Sequence, residues 1–415
     1  MLKVLHTADW HLGHTLHGVS RQVEHSQFLT WLLAQLLNQA IDALLICGDI
    51  FDSANPPASA QTQLYDFLVQ AKRQQPRLTI ILIGGNHDSA QRLDAPASLL
   101  HTLDVHVIGG LPRLPTGEIA WDRLCIPLCD ATGDIAAWCG AMPFLRNADV
   151  SVYGADAAEP LITGVRNLYA QLIAQLTCHA SPEQSLLLTG HCYMVGGQLS
   201  ELSERKILGG HQHALPVDIF PSHLDYVALG HLHRPQAVGH HAHIRYSGSP
   251  IPLSFDETHY PHQVLLVQLN AHQPAHVSAL PVPRCVQLIR VPNGQDYASL
   301  AQVLALLNAL ALDRQLATFY QPFVELRILL TKPEPNLHAD IDAAISKLPL
   351  RVLKRSIAFL GQGNNLSELV AEQHLEELQP VTVFQRCYFQ QYAQEPPAEL
   401  TQLFCELLET VQIGE

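Results

Sequence analysis

Five short motifs in this chain carry the residue types that bind hard or borderline divalent cations. They are Asp9-Trp10-His11, Gly48-Asp49-Ile50-Phe51-Asp52, Gly85-Asn86-His87-Asp88, Gly190-His191 and Gly230-His231-Leu232-His233. Carboxylate, amide and imidazole donors suit manganese, iron or zinc, and the lack of a thiolate argues against a structural zinc clip. Asp49 is the natural centre. It leaves the apolar run Leu44-Leu45-Ile46-Cys47 through Gly48, and carboxylates at the C-terminal edge of a buried sheet are where open α/β folds place their chemistry. A carboxylate has two oxygens and can bridge two cations, whereas a neutral imidazole offers one nitrogen. Two cations ~3.5–4 Å apart would clamp the attacking and leaving oxygens of an in-line displacement and bring a bound water's pKa towards ~7.

Each motif alone is weak. Asp104-Val105-His106, His211/His213 and His241/His243 repeat the same residue types and read as solvated or strand-alternating histidines. The five motifs differ in their shared context, an apolar strand followed at once by a polar turn. Glycine ahead of the ligand permits the close backbone approach that a metal site needs.

The elements that must position these residues alternate in the first hundred positions. Val4-Leu5, Ala43 to Cys47 and Leu78 to Ile83 read as strands. Between them, helical stripes run from about Ser20 to Ala40 and from Pro57 to Arg73. That βαβαβ pattern predicts a mainly parallel sheet with covering helices. From Gly109 to Glu159 the periodic signal fades into strands and loops. Leu161 to Leu176 reads as helix, and Ser185 to Thr189, Leu224 to Leu229, Ile244 to Tyr246 and Val264 to Leu269 as strands. Ala271 to Pro283, with three prolines, is the expected linker. Beyond it a compact β-α-β-α-β unit reaches Phe359. Gly361-Gln362-Gly363-Asn364-Asn365 breaks the chain, and a helical tail follows, its Leu400, Leu403, Phe404, Leu407, Leu408 and Val411 on one stripe.

Bulk properties bound the function. A chain of 415 residues exceeds a single core, so two or three domains are expected. Apolar residues at 47% and charged residues at 15% give an ordinary globular composition. No apolar run approaches the ~18 residues of a membrane span, and the N-terminus lacks the apolar core of a signal peptide. Nine cysteines without a Cys-x-x-Cys pair read as small buried hydrophobes in a reducing cytoplasm. A net charge of −14 opposes simple charge neutralisation of nucleic acid. It weighs less where bound cations or a basic partner supply the positive potential.

The ordered set Asp-x-His, Gly-Asp-x-x-Asp, Gly-Asn-His-Asp, Gly-His and Gly-His-x-His resembles the calcineurin-like metallophosphoesterases. The flanking words narrow the likeness. His6-Thr7-Ala8-Asp9-Trp10-His11-Leu12-Gly13, Pro143-Phe144-Leu145-Arg146 and Tyr246-Ser247-Gly248-Ser249-Pro250-Ile251-Pro252-Leu253-Ser254-Phe255-Asp256-Glu257 resemble the SbcD family of nuclease subunits. The match covers residues 1–270 by motif and the remainder by layout.

This resemblance implies an α/β fold, a four-layer α-β-β-α metallophosphoesterase sandwich over residues 1–270. A small α/β cap facing DNA would span 284–360, and helices at 364–415 would bind an SbcC-type coiled-coil ATPase. It implies that Asp9, His11, Asp49 and His233 hold one divalent ion. Asn86, His191 and His231, sharing Asp49, would hold another, with manganese favoured by the family. His87 would be the general acid, oriented by Asp52, for which a helix N-cap is the plainer role. Asp88 reads as a turn or supporting residue. The cap residues Lys332, Lys347, Arg351, Lys354 and Arg355 form a local basic cluster, or else a solvated face. The implied activity is ATP-dependent 3′→5′ exonuclease action on duplex DNA and endonuclease action on single strands and hairpins. The chain would form a homodimer within a heterotetramer, serve DNA repair, recombination and replication, and sit in the cytoplasm with the nucleoid. Two rivals stand beside it: a lone metal-dependent phosphodiesterase of nucleotides or other small molecules, and a non-catalytic scaffold.

Overall fold

In the computed structural model the described residues are 1–154, 159–197, 214–294, 296–332, 334–360, 380–392, 394–397, 400–405 and 407–408. They fall into two compact units. Residues 1–14, 25–283 and 398–415 make the first, and residues 15–24 and 284–397 the second.

Two six-stranded sheets build the first unit. One runs in the order His276–Pro281, Gln263–Leu269, Leu2–Thr7, Ala43–Cys47, Thr79–Ile83, Val105–Ile108, with its last four strands parallel. The other runs Gln236–Val238, His241–Tyr246, Tyr226–Gly230, Ser185–His191, Ile135–Ala141, Cys125–Cys129. Strand alternation divides the core. Leu45 and Cys47 join a cluster with Leu187, Ala228 and Tyr246 of the second sheet. Leu44 and Ile46 pack instead with Phe28, Leu32, Leu64 and Phe67 of the helices Gln22–Asn38 and Ala58–Gln74. The helix Pro160–His179 lays Val165, Leu168, Leu172 and Leu176 on the second sheet, completing a helix–sheet–sheet–helix sandwich. His6 ties the sheets together: its Nε2 donates to Leu229 O (3.2 Å) and its Nδ1 accepts from the Tyr226 hydroxyl (2.9 Å). Burial pushes the His6 pKa down to about 3, so this imidazole stays neutral.

Two sequence expectations change here. The stretch read as a linker contains the strand His276–Pro281, antiparallel to Gln263–Leu269. It lies at a sheet edge, where proline's missing N–H costs no ladder hydrogen bond. The aperiodic 109–159 region supplies the hairpin Cys125–Cys129/Ile135–Ala141 and the helix Asn147–Gly154. Of the nine free cysteines Cys47, Cys125, Cys139, Cys192 and Cys405 are buried, but Cys178 and Cys387 are exposed.

The second unit is a parallel three-stranded sheet, Leu288–Val291, Phe323–Leu330 and Arg351–Phe359, with helices Leu300–Asn308 and Leu337–Ile345 in the crossovers. A capping box between Ser299 and Gln302 starts the first helix. Glu325, 2% exposed, holds Arg290 (2.7 Å), Lys354 (3.4 Å) and Ser356 (2.9 Å) on one sheet face. Arg21 pairs with Glu24, and Arg21 and Arg351 both lie over the Phe323 ring. A helix follows at Pro380–Tyr392, and the described residues of 400–408 are helical. Of the expected tail, residues 364–379 and 409–415 lie outside the described residues, as do Val411, the 361–365 break and the pair His211/His213. Among the described residues no helix is long and apolar enough to cross a membrane.

Candidate metal centre

The strands ending at Thr7, Cys47, Ile83, His191 and Gly230 bring five loops to one edge of the sandwich. Backbone bonds lock the loops to each other: Asp9 N–H donates to Gly48 O and His11 N–H to Asp49 O, both at 3.0 Å. Side chains lock them further. Asp49 Oδ1 accepts His87 N–H (2.9 Å), and Asp9 Oδ1 accepts His231 N–H (2.9 Å), which stitches the two sheets. Asp88 accepts three main-chain N–H groups, those of Ile50, Phe51 and Gly85, at 2.8–3.0 Å. It thereby clamps the 48–52 loop to the 84–88 loop. A Cβ on Gly85 would overlap the backbone nitrogen and Oδ1 of Asp49. Only hydrogen fits there.

All seven expected ligands meet at this edge. Asp9, His11 and His233 form one group whose donor atoms lie within 4.8 Å of one another, and Asp49, His191 and His231 form a second. Asn86 Oδ1 joins the second group, 2.9 Å from His191 Nε2 and 3.1 Å from His231 Nδ1. Asp49 Oδ2 sits between the groups, 3.5 Å from His11 Nε2 and 3.4 Å from His191 Nε2. Asp9, His11, Asp49 and His231 all adopt positive φ, between 47° and 102°, a strained region for non-glycine residues that persists where surroundings over-determine it.

His87 stands beside both groups with Nε2 3.9 Å from Asp49 Oδ2. Its Nδ1 donates to the main-chain oxygen of Asp52 at 2.8 Å. Asp52, expected to orient His87, meets this ring nitrogen through its backbone carbonyl. The Asp52 carboxylate is engaged by His11 Nδ1 (3.2 Å) and His14 Nδ1 (3.1 Å). His11, Asp52 and His87 also form a third close group of donor atoms. Asp104 pairs with His106 at 3.0 Å and also accepts the Thr79 hydroxyl, and His241 and His243 lie with their rings 6.0 Å apart on one strand; none of the four joins a ligand group.

Burial opposes ionisation of Asp49, yet the imidazoles of His191, His87 and His11 hold its carboxyl well below the usual range. In return the Asp49 and Asp9 carboxylates lift His191 to about 9 against its own burial. Burial and the charge of His191 push His231 well down. Asp88 rises to about 6 through burial and its neighbour Asp49, despite its three N–H donors. Strongly shifted acids and bases packed together in this way are characteristic of functional sites.

A family model described as "Calcineurin-like phosphoesterase" matches residues 2–235. A second, "Type 5 capsule protein repressor C-terminal domain", matches residues 284–392. The SbcD component of the SbcCD nuclease of Rhodobacter capsulatus is 44% identical over 357 residues, covering 85% of this chain and 86% of that one. The chain belongs to the SbcD family of calcineurin-like phosphoesterases. Its Escherichia coli K12 relative of the same name is 32% identical over 389 residues, covering 90% of this chain and 91% of the relative. The Bacillus subtilis one is 34% identical over 279 residues, covering 66% and 68%.

Membership in this family implies divalent metal ions, and the residues fit them. Asp9 Oδ2, His11 Nε2 and His231 Nε2 are buried with no hydrogen-bond partner among the described residues. Such atoms are costly unless something else satisfies them. Two supporting residues are not evident from the sequence. Glu257, fully buried, takes His233 Nδ1 at 2.9 Å, and His14 holds Asp52. Glu257 ends the 246–257 stretch that resembles SbcD, but nothing in its spacing tells that it faces His233.

Proposed function

We propose that this chain is the nuclease subunit of an SbcC–SbcD-type complex, hydrolysing DNA phosphodiester bonds at two divalent cations, with manganese as the working metal. The observation that carries this reading is the convergence of seven candidate ligand side chains around three buried donor atoms left unsatisfied among the described residues. A donor set of carboxylate, amide and imidazole without thiolate suits manganese. When bound, the ions supply Lewis-acid polarisation and a nucleophilic water at neutral pH.

The chain's own residues supply position and a proton. Asp9, His11 and His233 would hold one ion, and Asn86, His191 and His231 the other, with Asp49 shared. His87 Nδ1–H is engaged by Asp52 O, so in the imidazolium form Nε2–H is the proton that would pass to a leaving ribose oxygen. The same carbonyl fixes the ring plane and stabilises the charged form.

Docking to the ATPase is supported by Leu400, Leu403 and Leu407, which are 37%, 51% and 56% exposed at helical spacing. The ATP-dependent 3′→5′ duplex activity, the single-strand and hairpin cutting and the two-plus-two assembly on the nucleoid are what the motif resemblance to the family implies. With a net charge of −14, the partner supplies most of the long-range grip on DNA. The test is to offer the manganese-loaded full chain hairpin DNA, single-stranded DNA and a cyclic nucleotide. Cleavage of the DNAs is expected; robust turnover of the cyclic nucleotide alone would overturn the reading.

A further inference from the structure

The two metal positions differ in what stands behind their imidazoles. In the Asp9 group both histidines are backed by carboxylates: His11 Nδ1 faces Asp52 Oδ1 at 3.2 Å, and His233 Nδ1 faces Glu257 Oε1 at 2.9 Å. In the other group His191 Nδ1 donates to a neutral main-chain carbonyl, Cys47 O, at 3.0 Å, and among the described residues no carboxylate bonds either nitrogen of His231, whose Nδ1 faces its fellow ligand Asn86. Asp88, the remaining buried carboxylate, is taken up by three N–H groups.

The two backing carboxylates are also joined. The second Glu257 oxygen accepts Leu253 N–H at 2.8 Å, the Leu253 carbonyl faces His14 Nε2 at 3.0 Å, and His14 Nδ1 returns to Asp52 at 3.1 Å. One residue's backbone, that of Leu253, is thus held from both sides. The circuit His11–Asp52–His14–Leu253–Glu257–His233 closes behind a single metal position. An anionic partner on the far nitrogen makes an imidazole a stronger donor and fixes its ring orientation, and loss of such a partner typically weakens metal binding by ~10–100-fold. Two added negative charges near one position also favour a cation there by simple Coulomb attraction.

We infer that Glu257 is a positioning residue which, linked to Asp52 through Leu253 and His14, makes the Asp9–His11–His233 position the tight one and leaves Asn86–His191–His231 exchangeable. The inference rests on the two-metal reading of this site. It orders the loading: the first ion is resident, and the second is held more weakly.

Metal binding itself is the readout. The full chain, stripped with chelator, is titrated with manganese by equilibrium dialysis, and free ion is followed by its paramagnetic resonance. Two classes separated by about tenfold or more are expected. His191→Ala should remove the weak class and keep the tight one. Glu257→Gln should weaken the tight class by ~10–100-fold and leave the weak class in place. His14→Gln, at a less buried position, should weaken the same class by a smaller factor, which keeps the test decisive where Glu257→Gln misfolds. Two equal classes in the parent chain, equal weakening of both by these variants, or loss of the tight class in His191→Ala would overturn the ranking. Failure to bind two ions at all would instead sink the two-metal reading.

Discussion

At the scale of single residues, His87 and Gly85 separate chemistry from architecture. If His87 is the proposed proton donor, replacing it by Asn removes that proton and none of the proposed ligands, so DNA cleavage should fall by ~10²–10⁴-fold while two manganese ions still bind. Cleavage and bound metal, measured on the same preparation, check this; loss of the ions would make His87 structural. Gly85→Ala should do the reverse. Its methyl would displace Asp49, the carboxylate between the two groups, so metal content should drop with activity. The ligands themselves were legible in sequence because Gly-Asp, Gly-Asn-His and Gly-His-x-His each followed an apolar strand. Glu257 and His14 were not. Their partners are set by where loops cross in space, and neither the spacing of 14 from 52 nor that of 257 from 233 encodes a contact.

At the scale of elements, strand ends do the positioning, and the second unit depends on one buried acid. Burial works against the Glu325 carboxylate, but Lys354 and Arg290 hold its pKa below the ordinary glutamate value. A carboxyl depressed on folding stabilises the fold above its unfolded pKa of ~4.3 and loses that contribution as pH falls through the lower folded value. The second unit should therefore lose stability on acidification below about pH 4. Glu325→Gln should reduce that dependence and cost roughly 3–5 kcal/mol at neutral pH, because it removes the carboxylate charge that faces the buried Arg290. Urea unfolding across pH, with and without the substitution, measures both. The β-α-β-α-β order of this unit could be read from periodicity, since Leu300–Asn308 and Leu337–Ile345 show helical stripes between apolar strands. The edge strand His276–Pro281 could not, because prolines imitate a linker wherever the missing ladder partner is out of sight.

At the scale of the whole molecule, the first unit packs two sheets, yet the ligand edge concentrates buried charge that the fold alone leaves poorly satisfied. On the proposed reading, manganese would bind the folded chain and not the unfolded one. Saturation at about a hundred times Kd should then add roughly 2.7 kcal/mol and raise the Tm of the first unit, with chelator reversing the gain. Calorimetry with manganese and with chelator decides it. The left-handed backbone at Asp9, His11, Asp49 and His231 has a wider consequence. Each such residue costs roughly 1–2 kcal/mol, set against a total stability of ~5–15 kcal/mol for a typical fold. Glycine is at ease in that conformation, so Asp49→Gly should melt higher than Asp49→Ala. A population of these chains selected for heat resistance in the absence of metal would drift towards glycine at its own active centre, growing sturdier as it became inert.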